Sequence, residues 1–393
     1  AMPSNARPGT NGTQVGLGAI LREWGRIGCV GFGGPPAHIA LLRDLCVKRR
    51  RWISEEDFEH GIAATNLLPG PASTQLAIFC AWQLRGIAGA LIGGAAFIVP
   101  GLVLIIALAA LFLGSPPDWV RGLGAGAAAV VAAVAVRAAV DLIGPSRARA
   151  ADSRRWTIYL LVGVLATVLI GPWLVLALLA CGVAELLRRR VLGAGATLTF
   201  NPAAVVGGLA VVAATGGLAA LAWTAFKVGA LSYGGGFVII PLMQADAVDN
   251  YHWMTDGEFL NAVALGQATP GPVVQTVAVI GYAANGIGGA LLAAFVAFAP
   301  SFWFILLGAE RFDRLRTDPR AGAFLAGAGP AAIGAILGSS IPLALALTED
   351  WQYAVLAGGA LLLFVLRRGV LTTLLAAGVA GIVLALAGAS LPS

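Results

Sequence analysis

Five stretches of the chain, 86–113, 118–143, 286–309, 321–344 and 370–388, are apolar almost without interruption. Each has the roughly 18 residues or more that a helix needs to cross about 30 Å of hydrocarbon, so each predicts a membrane span. Between them lie shorter apolar segments cut by Gly and Pro. At the start of the chain these predict two helical hairpins. The first pairs 16–32 with 37–50 around Gly31-Phe32-Gly33-Gly34-Pro35-Pro36. The second pairs 54–67 with 71–84 around Pro69-Gly70-Pro71. Spans are expected at 86–113, 118–143, 156–170 and 173–188. The last two are only about 22 Å long at 1.5 Å per residue, which requires pairing or a thinned bilayer. A short helix near 202–215 follows. The plan then repeats at 217–233 with 237–250, 255–268 with 272–285, 286–309, 321–344, 351–366 and 370–388.

The repetition is also literal. Trp52, Phe58, Asn66, Pro69, Gly70 and Pro71 return 201 positions later as Trp253, Phe259, Gln267, Pro270, Gly271 and Pro272. Upstream, Gly28, Phe32, Gly33 and Gly34 meet Gly229, Tyr233, Gly234 and Gly235 in the same register. Downstream the register slips by one, so that Gly86, Gly89 and Pro100 meet Gly286, Gly289 and Pro300. Homologous halves with broken apolar segments at matching places point to a secondary transporter whose site lies at the breaks. The expected divisions are a first repeat over 15–190, a side-switching linker over 191–215 and a second repeat over 216–390.

Composition agrees. The chain is 59% hydrophobic and 11% charged, against about 25% charged in soluble domains. No cleavable signal peptide is expected, because the first 18 residues hold no apolar core. The net charge of +6 suits cytoplasmic Lys and Arg better than nucleic acid, since no basic stripe is interleaved with aromatics. Four cysteines without a CxxC pair read as apolar fillers, and three histidines without an acidic or thiol cluster predict neither a metal nor a cofactor. Charge also sets the orientation. Arg43–Arg51 carries five basic residues and one acid, whereas Asp246–Glu258 carries four acids and no Lys or Arg. The positive-inside rule places the first loop in the cytoplasm and the second outside. The fold class expected is therefore an all-α polytopic membrane protein of two inverted-topology repeats, each with two Gly/Pro-broken hairpins and four spans. Whether the hairpin arms cross fully or re-enter is left open.

The breaks carry the chemistry. Pro71 cannot continue a helix from upstream but suits the first turn of a new one. That turn offers unpaired N–H groups and the positive end of the helix dipole, with Ser73, Thr74 and Gln75 as further donors. Pro272 repeats the arrangement, with Thr269 and Pro270 before it and Gln275 and Thr276 after it. Asn66 and Gln267 are placed to complete a cage of neutral donors around an anion. The competing account is two Pro kinks that serve packing alone. The matched glycine loops Gly31-Phe32-Gly33-Gly34 and Ser232-Tyr233-Gly234-Gly235-Gly236 allow either close backbone approach to a ligand or tight helix crossing. No Lys-Ser/Thr ending follows them, so a phosphate loop is excluded.

Ionisable residues in apolar segments are costly and usually functional. Lys227 lies in the apolar run 218–231 with no acid within 15 positions, and it aligns with Arg26. The expectation is that both cations face the anion, the alternative being that Lys227 snorkels to the interface. His38 is the candidate proton carrier, the alternative being a helix-start residue that caps or faces water. Arg137 and Asp141, four apart, are placed to pair with each other.

These motifs resemble those of the chromate ion transporter family in its long, fused form. The likeness rests on Gly31-Phe32-Gly33-Gly34-Pro35 with His38, on Asn66-Leu67-Leu68-Pro69-Gly70-Pro71, on Ser232-Tyr233-Gly234-Gly235-Gly236 and on Thr269-Pro270-Gly271-Pro272. It covers nearly the whole chain. It implies export of chromate across the bacterial inner membrane by a multi-pass protein, driven by the proton gradient, conferring resistance, with sulfate as the isosteric competitor. The expected partners are chromate, sulfate, protons and membrane lipid, with a homodimer as an open possibility and no nucleic acid. One departure from symmetry matters: His38 and Pro36 stand where the second half has Ile239 and Phe237. A flavin, haem or metal enzyme lacks its motifs here.

Overall fold

The computed structural model describes residues 15–66, 68, 70–114, 116–148, 150–170, 174–189, 217–232, 239–308 and 318–392. The expected linker helix near 202–215 lies outside them, as do Pro69 and residues 233–238. The described secondary structure is helical. The first half comprises α1 (Leu17–Val30), α2 (Gly34–Arg43), α3 (Glu55–Thr65), α4 (Ala72–Phe112), α5 (Asp118–Ala129), α6 (Val131–Ala148), α7 (Ser153–Ile170) and α8 (Leu174–Arg188). The second comprises α9 (Gly217–Leu231), α10 (Ile239–Gln244), α11 (Asp256–Ala268), α12 (Thr276–Gly308), α13 (Pro319–Leu345), α14 (Asp350–Ala360) and α15 (Val370–Leu386).

The repeats match down to local irregularities. The second arm of each first hairpin ends in a π-helical turn, Asp44–Arg49 after α2 and Ala245–Asn250 after α10. Each turn is followed by one residue in the left-handed region, Arg51 at φ 50° and His252 at φ 51°. Each next helix is capped by a hydroxyl, Ser54 accepting from the Asp57 N–H and Thr255 from the Glu258 N–H. Such side-chain caps satisfy N–H groups that the first helical turn leaves free. Fully buried Phe58 and Phe259 then anchor α3 and α11.

The hairpin arms are short helices. α1 has 14 residues and α3 has 11, about 21 and 16 Å, well short of a hydrocarbon core. α3 lies antiparallel to the start of α4, since a Cβ on Gly61 would sit 2.7 Å from the Phe79 ring. α11 meets the start of α12 in the same way at Gly266 and Thr276. α4 is itself two legs. The chain reverses at Arg85 and Gly86, where Gly86 takes φ 58° and ψ −143°, and Gly89 comes back against the carbonyl of Ala81. α12 reverses at Asn285–Gly286 and brings Gly289 against Gly281. In both, a short half-helix (72–85 or 276–285) precedes a long leg (87–112 or 287–308).

The long legs are lengthy and apolar enough to span, as are 118–148 and α13. They pack against each other. Gly94 of α4 packs on the ring of Phe302 of α12, residues eight positions apart in the shared register, so the crossing centres near Ile98 and Phe298. This is the relation expected of inverted repeats.

The last helices change partners. α7 and α8 pack on α13 of the other half, and α15 and α14 pack on α5 and α6 of the first. Glycines make these contacts close. Cβ atoms on Gly163 and Gly334 would lie 1.9 Å from the carbonyls of Ala331 and Leu160, and one on Gly126 would lie 2.2 Å from that of Ala377. Close backbone approach through small residues is how helices gain packing energy where lipid removes the hydrophobic drive. It also answers how the short 156–170 and 173–188 spans are held.

Candidate functional site

Each Pro-Gly break rests on the first hairpin of the other half. The backbone N–H of Gly271 donates to the carbonyl of Gly31 at 3.0 Å. Gly70 in turn lies against the carbonyl of Gly229, 3.3 Å from where its Cβ would be. Gly70 and Gly271 adopt φ of 114° and 103°, a region that favours glycine, and this lets Pro71 and Pro272 open new helices in the middle of the fold. Trp24 of α1 pins the first half-helix by donating to the Ala77 carbonyl at 2.8 Å. The long leg of α4 closes the second break. A Cβ on Gly101 would fall 2.0 Å from the Pro270 carbonyl, and Gln275 Nε2 donates to the Ile98 carbonyl at 2.9 Å.

The one-residue slip between the halves arises here. The first half-helix begins with a full α turn, Ala72 to Gln75, whereas Pro272 leads into a tighter 3₁₀ turn, Val273–Gln275. One residue fewer is needed, and Gln75 and Gln275 end up equivalent. Each folds its amide back over its glycine, with Nε2 2.6 Å from a Cβ built on Gly70 and 2.9 Å from one built on Gly271.

The polar side chains at the breaks are buried. Ser73, Thr74, Gln75, Ser232, Gln275 and Thr276 are at most 2% exposed. Thr269 and Thr276 donate to the carbonyls of Leu265 and Val273, within their own turns. Thr74 Oγ1, Ser232 Oγ, Gln267 Nε2, Gln275 Oε1 and Ser301 Oγ have no hydrogen-bond partner among the described residues. Buried polar atoms are nearly always satisfied, so these five stand out among the buried side chains. Ser301, which the sequence pattern did not single out, is the second-half counterpart of Gly101 and was signalled only by being a hydroxyl in the middle of an apolar span.

His38, at 0% exposure, joins two of the breaks. Its Nε2 is 2.8 Å from the Gly31 carbonyl and its Nδ1 is 3.2 Å from Ser73 Oγ. The Phe97 ring packs edge-on against it with centroids 5.0 Å apart. The reading of His38 as a water-facing cap is thereby excluded. Gly33 and Gly34, at φ 97° and 72°, form the sharp entry to α2, and Gly34 approaches Val273 of the other half. Phe32 and Asn66 are exposed, so Asn66 does not mirror the buried Gln267. The Tyr233-Gly234-Gly235-Gly236 loop and Pro69 fall outside the described residues.

Two expectations are corrected. Lys227 is not without an acid: its Nζ lies 2.5 Å from Asp246 Oδ2. Asp246 is 2% exposed in the π-helical turn, not in an outer loop, and also accepts from Thr224 at 2.7 Å and Asn250 at 3.2 Å. The partner is 19 positions away, beyond the sequence window that suggested isolation, because the hairpin folds the second arm back on the first. Arg26 is exposed on α1 and does not enter the convergence. The first half has a comparable bond with the signs exchanged, Glu23 of α1 accepting from Arg50 at 2.6 Å beyond the π-helical turn. These pairs clamp hairpin arms together. Arg137 and Asp141 pair as expected, at 3.0 Å.

The family model described as "Chromate transporter" matches residues 18–186 and 219–382, one match per half. The chain belongs to the chromate transporter family. Among its relatives, the chromate transport protein of Cupriavidus metallidurans is 33% identical over 344 residues, 84% of each chain. The chromate transport protein of Pseudomonas aeruginosa is 31% identical over 379 residues, 91% of this chain and 89% of that one. A probable chromate transport protein of Synechococcus elongatus is 29% identical over 334 residues, covering 81% and 82%. No solved structure matches. The family's two matched segments coincide with the two helical repeats, so the duplicated breaks belong to the family region of each half.

Proposed function

We propose that this chain is a secondary active transporter that exports chromate across the bacterial inner membrane and so confers resistance. The observation that carries the reading is the set of buried, unpartnered polar atoms Thr74 Oγ1, Ser232 Oγ, Gln267 Nε2 and Gln275 Oε1, all close in sequence to the broken helix ends. Two half-helix starts aim roughly half a positive charge each at the convergence, with Ser73, Thr74, Gln75 and Gln275 in their first turns. Thr74, Ser232 and Gln267 supply N–H and O–H donors that a tetrahedral oxyanion would accept. With Lys227 held by Asp246, we assign binding to neutral donors and helix ends rather than to a Lys–Arg pair. Pro69, Pro270 and Asn66 shape the breaks in this reading, and the glycine loops at 31–34 and 232–236 give the close approach.

Export is energetically natural for a dianion. A membrane potential of 100 mV, negative inside, favours outward movement by about 2.3 kcal/mol per charge, so roughly twice that for chromate. The repeat assignments 15–190 and 216–390, joined by 191–215, are part of the proposal. Transport into inverted membrane vesicles tests it, with chromate, sulfate and molybdate compared under imposed pH gradients and imposed potentials. Chromate uptake that follows the potential or the pH gradient is expected. Uptake of sulfate in preference to chromate would make the protein a sulfate carrier, and rates that never saturate would make it a channel.

A further inference from the structure

Two half-helix ends offset about one of the two charges on a bound dianion. Lys227 is neutralised by Asp246, and Arg26 is exposed. His38 is the titratable group that the described residues place at the convergence. It is fully buried, and no charged side chain acts on it from α1, from the half-helix or from the long leg; its neighbours there are Gly31, Ser73 and Phe97.

The two ring nitrogens have different fates. A carbonyl only accepts, so the nitrogen facing Gly31, Nε2, carries a proton whatever the charge of the ring. The nitrogen facing Ser73 is then the one that titrates. In the neutral ring Nδ1 accepts, and the single hydroxyl proton of Ser73 is spent on it. In the imidazolium Nδ1–H donates to Ser73 Oγ, and the hydroxyl proton is released to point elsewhere. Ser73 stands beside Thr74, whose hydroxyl has no partner, in the first turn after Pro71.

We propose that His38 and Ser73 form a proton-operated donor switch for the oxyanion, which rests on the assignment of the half-helix start as the binding site. One proton taken up at Nδ1 reverses the His38–Ser73 hydrogen bond, turns the Ser73 hydroxyl toward the anion and adds the positive charge that the helix ends lack. Proton and dianion therefore stabilise each other on the protein, and by linkage each raises the other's affinity by the same factor. This sign is opposite to that of an exchanger in which the two compete. A proton that left with the anion would be opposed by an inward proton gradient and would halve the drive that the membrane potential gives to export. The bond from Gly271 to the same Gly31 carbonyl carries the second half's break on the frame that holds the ring. Ile239 stands at the equivalent position in the second half, so the switch is present once per chain.

The test measures chromate affinity of the purified full chain in lipid nanodiscs from pH 5.5 to 8.5. Chromate takes up a proton of its own in this range, but that is common to all variants and cancels in their ratio. The affinity ratio of wild type to His38→Gln is expected to exceed about ten at the acid end and to approach one at the alkaline end. Ser73→Ala should lose most of the acid-end gain, and Ser73→Thr, which keeps the hydroxyl, should retain it. A ratio that does not change with pH overturns the switch, as does a Ser73→Ala slope equal to that of wild type. The binding site itself is checked separately by Thr74→Val. If that variant binds chromate as wild type does at every pH, the assignment of the half-helix start fails and the switch falls with it. Thermal unfolding of each variant guards against misfolding, and the Ser73→Ala against Ser73→Thr comparison stands even if His38→Gln does not fold.

Discussion

The N–H of Gly271 and the Nε2 of His38 both point at one oxygen, the carbonyl of Gly31, at 3.0 and 2.8 Å. The second repeat's Pro-Gly break is thus hung on the first repeat's glycine break. A Cβ on Gly31 would lie 2.7 Å from the Ile27 carbonyl and 2.8 Å from the His38 ring. Gly31→Ala is expected to destabilise by about 1–3 kcal/mol, as overpacking does, and to abolish transport. Gly18→Ala, on the same helix with open space around it, should leave both intact. Thermal unfolding and vesicle uptake of the two variants check the contrast.

Thr74 separates binding from stability. Its hydroxyl is fully buried and makes no hydrogen bond among the described residues, so Thr74→Val should cost no stability. If that hydroxyl donates to the anion, the same change should weaken chromate binding by about tenfold or more, the ordinary worth of a hydrogen bond to a charged group. Binding and melting temperature measured on one preparation decide it. A loss of stability with unchanged affinity would show that the hydroxyl serves the fold.

The Lys227–Asp246 pair predicts a rescue. Lys227→Gln leaves a carboxylate buried without its cation, which costs on the order of 3–5 kcal/mol. Folding and expression should fall. Adding Asp246→Asn should restore them, and the double variant should transport chromate with an apparent affinity within about twofold of wild type. A double variant that folds yet binds more than about tenfold worse would return Lys227 to the anion site.

Lys48 and Asp249 are exposed residues at equivalent ends of the two first hairpins. In a background freed of the native cysteines, Lys48→Cys should react with impermeant thiol reagents from the cytoplasmic face and Asp249→Cys from the outer face. Reaction of both from one face would contradict the inversion of the repeats.

Much of this architecture was readable because Gly and Pro act locally. Pro71 and Pro272 forbid continuation of the preceding helix whatever the surroundings, so the breaks and hairpins fall within a few residues of where periodicity places them. The duplicated register also made Gly70 and Gly271 stand out together. What escaped was tertiary. Asp246 looked like part of an acidic loop until the arm folded it under Thr224 and Lys227. Asn66 and Gln267 look alike in sequence, yet one is exposed and the other buried. The Gly31 carbonyl has no sequence signature as an acceptor, although it organises His38 and Gly271. The slip after Pro272 was visible as a number, and its cause, a 3₁₀ turn in place of an α turn, was not.

The exchange of terminal helices between the halves has a consequence for how the chain comes off the ribosome. α7 and α8 are synthesised long before α13, the helix they pack against. Gly163 and Gly182, shaped for contact with Ala331 and Phe324, must stay in lipid without those partners until more than a hundred further residues have been added. The first half therefore does not mature as an independent domain while the second is being made, unlike the usual order in multidomain chains. Its insertion and its assembly are separated in time, and the assembly of both halves becomes a single late event.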